Sequence, residues 1–165
     1  MIFMDLDAMA FLARVTKALV EQPNCELGLS GLMDEINQYF STEAASFFVL
    51  DESHNELVLK YAAGPVSQKI LGLRIPLGQG VVGWATQFNE PLIVPLPGLD
   101  SRFCSSVDEQ SGFVTRSILC VPVTQADRNL GAIELLNKVT GPFIDDDVAL
   151  LQDLASAFAD ICTNL

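Results

Sequence analysis

The feature that most constrains this chain is a hydrophobic period that changes twice along its length. Leu6, Met9, Leu12, Ala13, Val15 and Leu19 recur at helical spacing, and Glu21-Gln22-Pro23-Asn24 stops the pattern. A second amphipathic stretch runs from Glu26 to about Phe40, with Leu29, Leu32, Met33, Ile36 and Tyr39 or Phe40 on one side, so two helices are expected to pack as a pair. After Ser41-Thr42 the period becomes that of strands: Ala45 to Leu50 and Glu56 to Tyr61, joined by the polar turn Asp51 to Asn55, predict a hairpin. The helical period returns at Asp145-Asp146-Asp147, acids that complement the positive end of a helix reaching about Cys162. Its apolar stripe is Val148, Leu151, Leu154, Ala155, Phe158 and Ile161 or Cys162.

Between these blocks the elements are short. Leu73-Arg74-Ile75-Pro76 is extended, and Gly78-Gln79-Gly80 ends it before a small-residue helical stretch from Val81 to Phe88. Pro91 to Val94 is another strand, and the polar stretch Pro95 to Thr115 is long for a connection, a length that often marks function. Ser117 to Val123 and Leu130 to Asn137 flank the turn Gln125 to Asn129 and are apolar enough to be central strands. The order predicts a single α+β domain over residues 1–165, built around an antiparallel sheet of about five to six strands. A chain of 165 residues can bury such a core without disulfide or metal support.

Charge and composition remove several function classes. The net charge of −12, from 21 acids against 9 bases, repels a phosphate backbone, so no direct nucleic-acid partner is expected. Mean hydropathy is high, at +0.35, yet no apolar run approaches the roughly 20 residues that cross a bilayer. Met1 to Asp7 has no basic patch ahead of its apolar residues, which argues against a secretory signal and predicts a cytoplasmic chain. Cys25, Cys104, Cys120 and Cys162 lack metal-ligand spacing, and Cys120 and Cys162 sit among apolar neighbours that suggest packing. The single histidine, His54, belongs to a hairpin turn, where a solvated role is expected, so histidine-based acid–base catalysis has no obvious agent. Gly78-Gln79-Gly80-Val81-Val82-Gly83 spells a dinucleotide fingerprint but lacks its βαβ frame and the acid about 20 positions on, so it reads as a tight strand-to-helix turn. No enzyme activity, metal or cofactor is predicted.

Three blocks carry a resemblance. They are Leu73 to Pro76 with Gly78 to Ala85, Arg116 to Val123, and Leu130-Gly131-Ala132-Ile133-Glu134-Leu135-Leu136-Asn137. Over about residues 25 to 162 the chain resembles the GAF domain family, shared by phosphodiesterases, adenylyl cyclases, histidine kinases and bacterial transcription activators. The resemblance implies N- and C-terminal helices on one sheet face and a lid of loop and short helix on the other. It places the core at 25–163, in a signalling protein of bacterial type; the helix read over residues 1–24 would serve dimer formation or signalling, or its stripe would simply cover the sheet.

A narrower resemblance, to the cyclic-nucleotide-binding subgroup, rests on Val107 to Arg116 and on Asn137-Lys138, Phe143 and Asp147. Two positions depart from that pattern: Val148 stands where the subgroup signature has Glu, and Ala62-Ala63-Gly64 where it has an acid after the second strand. The resemblance implies Ser46 beside the ring edge of a ligand, Val81 under it, Asp108, Ser111 and Thr115 along the lid, and Glu134 on the sheet floor. Plainer roles stand beside these. Asp108 and Ser111 would cap a short helix, Thr115 would tie down the loop, Ser46 and Val81 would be ordinary strand and core residues, and Glu134 would be an exposed edge residue. Lys138 with Asp147 is expected to form a structural bridge outside the pocket, contributing about 0–1 kcal/mol if exposed. A bilin or haem lacks its expected ligand, because Cys104 precedes serines and His54 is misplaced; Cys104 and Cys120 match the cysteines of the free methionine sulfoxide reductases of this family only loosely. The function expected is that of a non-catalytic small-molecule sensor in signal transduction, its ligand a cyclic nucleotide or other metabolite, working as a homodimer. The alternative is a ligand-free dimerisation or interaction module, and a remote one is a free methionine sulfoxide reductase.

Overall fold

The computed structural model describes residues 5–21 and 26–162; the helix stop at Gln22 to Asn24 and Cys25 lie outside the described residues, as does the side chain of Cys162. The chain begins with α1 (Leu6–Glu21) and α2 (Glu26–Tyr39). Asp5 caps α1, its Oδ1 accepting the Ala8 N–H at 2.7 Å. The hairpin is β1 (Thr42–Asp51) and β2 (Glu56–Ala63), followed by the single turn α3 (Ser67–Ile70) and β3 (Arg74–Pro76). Then come α4 (Gly80–Phe88), β4 (Leu92–Val94), a 3-10 turn at Pro97–Leu99 and α5 (Ser106–Ser111). The chain closes with β5 (Ile118–Gln125), β6 (Arg128–Lys138) and α6 (Asp145–Cys162). The predicted long loop therefore carries two short helical pieces, and the β5–β6 turn tightens to Ala126 and Asp127, both at positive φ. Among the described residues no helix is long and apolar enough to cross a membrane.

The six strands pair antiparallel throughout, in the order β3-β2-β1-β6-β5-β4. One face packs against α1, α2 and α6: Ala45, Phe47, Tyr61, Leu119, Val121, Ile133 and Leu135 meet Phe11, Met33, Ile36, Leu151 and Phe158, all buried. Phe47 and Phe158 touch edge-on, their ring centroids 5.0 Å apart. The two N-terminal helices do meet, through the Phe11–Tyr39 ring stack at 4.1 Å, but α1 lies against α6 as well, so all three helices share this face.

The other face holds a second apolar cluster, in which Phe48, Leu57, Leu59, Ile118, Cys120 and Ala132 meet Val81, Val82 and Ala85 of α4. Strict alternation would place Leu57, Leu59, Tyr61 and Ala63 together. Instead Lys60 is an extra residue opposite the Phe47–Phe48 step, and this bulge turns Tyr61 and Ala63 to the helical face while Leu57 and Leu59 stay on the α4 face.

The Gly78-Gln79-Gly80-Val81-Val82-Gly83 segment is the strand-to-helix turn expected of it. Gly78 and Gly80 have φ of +89° and +67°, and the Gly78 N–H donates to the Gly83 carbonyl at 3.1 Å. Gly131 is fixed by space: a Cβ there would lie 2.0 Å from the Phe48 carbonyl oxygen across the β1–β6 pair. Gly131→Ala must spread the two central strands and is expected to cost about 2–3 kcal/mol, measured by chemical denaturation of the purified chain.

Candidate functional site between the sheet and the lid

A cavity of about 280 Å³ lies between the second sheet face, α4 and the lid segment that carries α5. Its floor is set by strand register. Ser46 on β1 is directly opposite Glu134 on β6, which in turn is opposite Cys120 on β5, so these three side chains stand in a row on one face. Around them the wall is apolar, from Phe48, Leu59, Ile118, Leu136, Val81 and Val82. Asp108 and Thr115 enter from the lid.

Of the six residues proposed from the sequence as ligand-binding, five meet here: Ser46, Val81, Asp108, Thr115 and Glu134. Ser111 does not; it lines a separate hollow with Lys69 and Ile70, and its Oγ accepts the Phe113 N–H at 3.2 Å. Asp108 does not cap α5 either. Its carboxylate accepts the Thr115 N–H and the Thr115 hydroxyl, both at 2.7 Å, which closes the lid on itself. The plainer loop-tying role of Thr115 therefore holds alongside its place on the cavity wall.

Glu134 is the unusual group. It is not an edge residue but stands on β6, one of the two central strands, among apolar side chains, and the surface it keeps faces the cavity. No hydrogen bond or ion pair joins its carboxyl to another described residue. Burial, helped by the negative charge of Asp108, pushes its pKa up to about 7. The one cationic side chain on the cavity wall among the described residues, Arg74, is already engaged by Asp51 at 3.0 Å and Glu56 at 3.4 Å.

The second motif predicted from the sequence forms a latch beside the cavity. Asn137 is 2% exposed and takes the left-handed conformation at φ +60°. Its Oδ1 accepts the N–H groups of Arg116 and Ser117 at 2.6 and 3.1 Å, and its Nδ2 donates to the Val114 carbonyl and to Glu43, both at 2.8 Å. Glu43 also pairs with Arg116; the Asn137 bond, with Arg116, holds its carboxyl below the ordinary range. Next along β6, Lys138 donates to Asp147 at 2.7 Å, and Asp147 also accepts the Ile144 N–H at 2.9 Å. This is the structural bridge expected outside the cavity, but it is not exposed: the two side chains keep only 14% and 15% of their surface, so breaking it leaves a poorly solvated charge. Phe143 is buried in the helical-face core beside them. The four residues thus tie the lid's exit to β6 and to the start of α6.

Gln79, Gln110 and Ser106 on the wall were not singled out from the sequence, whereas Cys104 entered there only as a loose match to cysteines of the family. Gln79 and Gln110 are polar positions without a distinguishing pattern. Cys104 and Ser106 sit at the mouth, with Sγ and Oγ 3.2 Å apart, and that bond, with a second from the Ser106 backbone, lowers the Cys104 pKa. Arg102 stacks on Trp84, 4.8 Å from the ring, while its guanidinium pairs with Asp100 at 2.7 Å; this braces the lid's entry against α4. His54 is exposed and bonded to Asp51, in the solvated place expected for it.

Two outcomes follow from this geometry. Asn137→Ala removes the side-chain partner of three backbone groups and is expected to destabilise the chain by about 2–4 kcal/mol, with faster amide exchange at 114–117; Asn137→Gly restores backbone freedom but not the exchange protection. Glu134 has a raised folded pKa, so the native state holds a proton that the unfolded state releases between about pH 4.5 and 7, and stability falls as pH rises through that window. Glu134→Gln should therefore stabilise the ligand-free chain above pH 7, by at most about 3 kcal/mol, and leave it unchanged below pH 4.5; denaturant melts at both pH values check this.

Comparison with known proteins agrees with the geometry. The GAF domain model matches residues 26–160. The chain is 30% identical over 83 residues to a dual 3',5'-cyclic-AMP and -GMP phosphodiesterase 11A of Takifugu rubripes, covering 48% of this chain and 9% of that protein. It is 34% identical over 67 residues to the cone cGMP-specific 3',5'-cyclic phosphodiesterase subunit alpha' of Mus musculus, covering 41% of this chain and 8% of that one. It thus spans less than a tenth of the length of these two relatives. Among solved structures, the GAF domain from a phosphoenolpyruvate-protein phosphotransferase of Coxiella burnetii superposes with a TM-score of 0.86 at 22% identity, over 95% of this chain and 93% of that one. The free methionine-R-sulfoxide reductase of Neisseria meningitidis, solved with its substrate, superposes with a TM-score of 0.78 at 19% identity, over 99% and 94%. The fold, the turn at Gly78 to Gly83, the latch at Asn137 and Lys138 and the family match over most of the chain agree: the chain belongs to the GAF domain family, a family of regulatory and sensor domains.

Proposed function

We propose that the chain is a non-catalytic sensing domain in which a small molecule occupies the cavity between sheet and lid and is read out through the terminal helices. The observation that carries this reading is Glu134, a carboxyl in an apolar wall with no partner among the described residues. Such a group is costly to keep unless something else satisfies it. The cavity volume, about 280 Å³, lies just below the range of about 300–1,000 Å³ usual for ligand pockets, which suits a compact ligand under the lid. Cyclic nucleotides are the first class we assign to it. The Gly80, Val81 and Val82 N–H groups at the start of α4 precede any helix carbonyl that could accept them, which suits a phosphate. The phosphodiesterase relatives support the same class. Ala62 faces Ser46 across the sheet, so the floor row offers Glu134 as its single carboxylate.

Reductase chemistry fits less well. It requires paired, accessible cysteines in this region: Cys104 is exposed at the mouth with a lowered pKa, but its only loosely matching partner, Cys120, is fully buried, with burial pushing its thiol pKa up.

A second observation supports dimer formation. α1 turns its inner stripe to the core, yet Leu6, Met9 and Val20 remain 82%, 51% and 74% exposed, and they suit the same stripe of a second copy. The ligand-free interaction module differs from the sensing reading only at the cavity.

Thermal unfolding with cyclic GMP, cyclic AMP and a metabolite panel tests the sensing function. A binder at a hundred times its Kd should add about 2.7 kcal/mol, and the double variant Glu134→Ala with Thr115→Ala should lose that response while keeping its assembly state. Stabilisation by no compound overturns the sensing reading and leaves the interaction module. Light scattering tests the other half: a dimer that Met9→Glu with Val20→Glu splits is expected, and a monomer at high concentration refutes it.

A further inference from the structure

The charges on the cavity wall specify more than that a ligand binds. Glu134 meets Ser46 from β1, Cys120 from β5, Leu136 from its own strand and Asp108 from the lid. α4 contributes Gly80, Val81 and Val82, which do not titrate, and β2 contributes Leu59. Cys104 stands at the mouth, and Arg74 is held by Asp51 and Glu56. The polar floor is thus a hydroxyl and a carboxyl facing a second carboxylate, with no free cation to balance either acid among the described residues. A ligand oxyanion set on this floor would face both acids. A cationic or amino group would instead relieve the repulsion between them and provide the hydrogen bonds that Glu134 lacks.

We propose that this cavity selects ligands bearing a cationic or amino hydrogen-bond donor, which seats on the Glu134 carboxylate beside Ser46, and that seating the donor expels a proton from Glu134. The inference rests on the sensing function above and refines it: an anionic group on the same ligand is directed to the start of α4, away from the floor. In balance, neutral Glu134 plus the donor ligand gives the carboxylate–donor complex and one proton released to solvent, with no covalent change. Because Glu134 titrates near pH 7 in the ligand-free chain, donor ligands bind the ionised form, and their affinity rises with pH up to that point and then levels.

Three fragments of equal shape and different charge test this on the full chain: benzamidine, benzamide and benzoate, titrated by amide-detected NMR at pH 6 and 8 in 0.2 M salt to screen the acidic surface. The expected result is benzamidine strongest and benzoate weakest, with shifts at Ser46, Glu134 and Thr115. Benzamidine should bind about tenfold more weakly at pH 6 than at pH 8, a ratio that follows from half-ionisation near pH 7. Glu134→Gln should abolish both its preference and its pH dependence. If that variant fails to fold, the pH ratio in the unaltered chain decides alone. Benzoate or benzamide binding the cavity as well as benzamidine, or a pH-independent benzamidine affinity, overturns the inference while the sensing function stands. Fragments that shift no cavity residue overturn the inference, and the thermal panel above then decides the sensing function separately.

Discussion

A carboxyl on the wall of an apolar cavity must be neutral, paired or reached by something from outside, and among the described residues nothing pairs with Glu134. The rest of the second sheet face is organised around that constraint. The bulge at Lys60 keeps Leu57 and Leu59 on this side, making the wall apolar and the carboxyl poorly solvated. Register sets Ser46 and Cys120 on either side of it. The lid closes above with Asp108, whose charge adds to the penalty. A domain selected for stability alone would carry an apolar residue there, as the neighbouring Ala132 and Leu136 positions do.

The lid is held by a few polar contacts. Asp108 and Thr115 close it on themselves, Arg102 and Trp84 brace its entry, and Asn137 ties its exit to β6. Lys138 then joins the same strand end to Asp147 at the start of α6. Lid and helix are therefore fastened at adjacent residues, so a rearrangement of one changes the bonds available to the other. Coupling of this kind needs a ligand that favours one arrangement over another.

Much of this was legible in the sequence, for identifiable reasons. The helices α1, α2 and α6 and the central strands showed themselves by period, since each buries one face. The tight turn at Gly78 to Gly83 was legible because positive φ and close approach demand glycine. Five of the six residues that a family pattern, not periodicity, singled out line the same cavity, whereas α5 turns Ser111 toward Lys69 instead. Asp108 looked like a helix cap because acids favour first turns; its partner, Thr115, is seven residues on and depended on how the lid folds back. The burial of Lys138 and Asp147 could not be read locally, because it arises where three elements meet. Nor could the isolation of Glu134: alternation puts it on a face, but only tertiary packing decides whether that face holds a partner.

The central claim is that Glu134 is an unpaired carboxyl enclosed by this cavity, and its titration in the ligand-free chain tests that most directly. Carbon-detected NMR of the Glu134 side-chain carboxyl across pH 3 to 9 should give a midpoint of about 7. A midpoint at the ordinary glutamate value near 4.5 would mean that the group is solvated or paired, and would contradict the account.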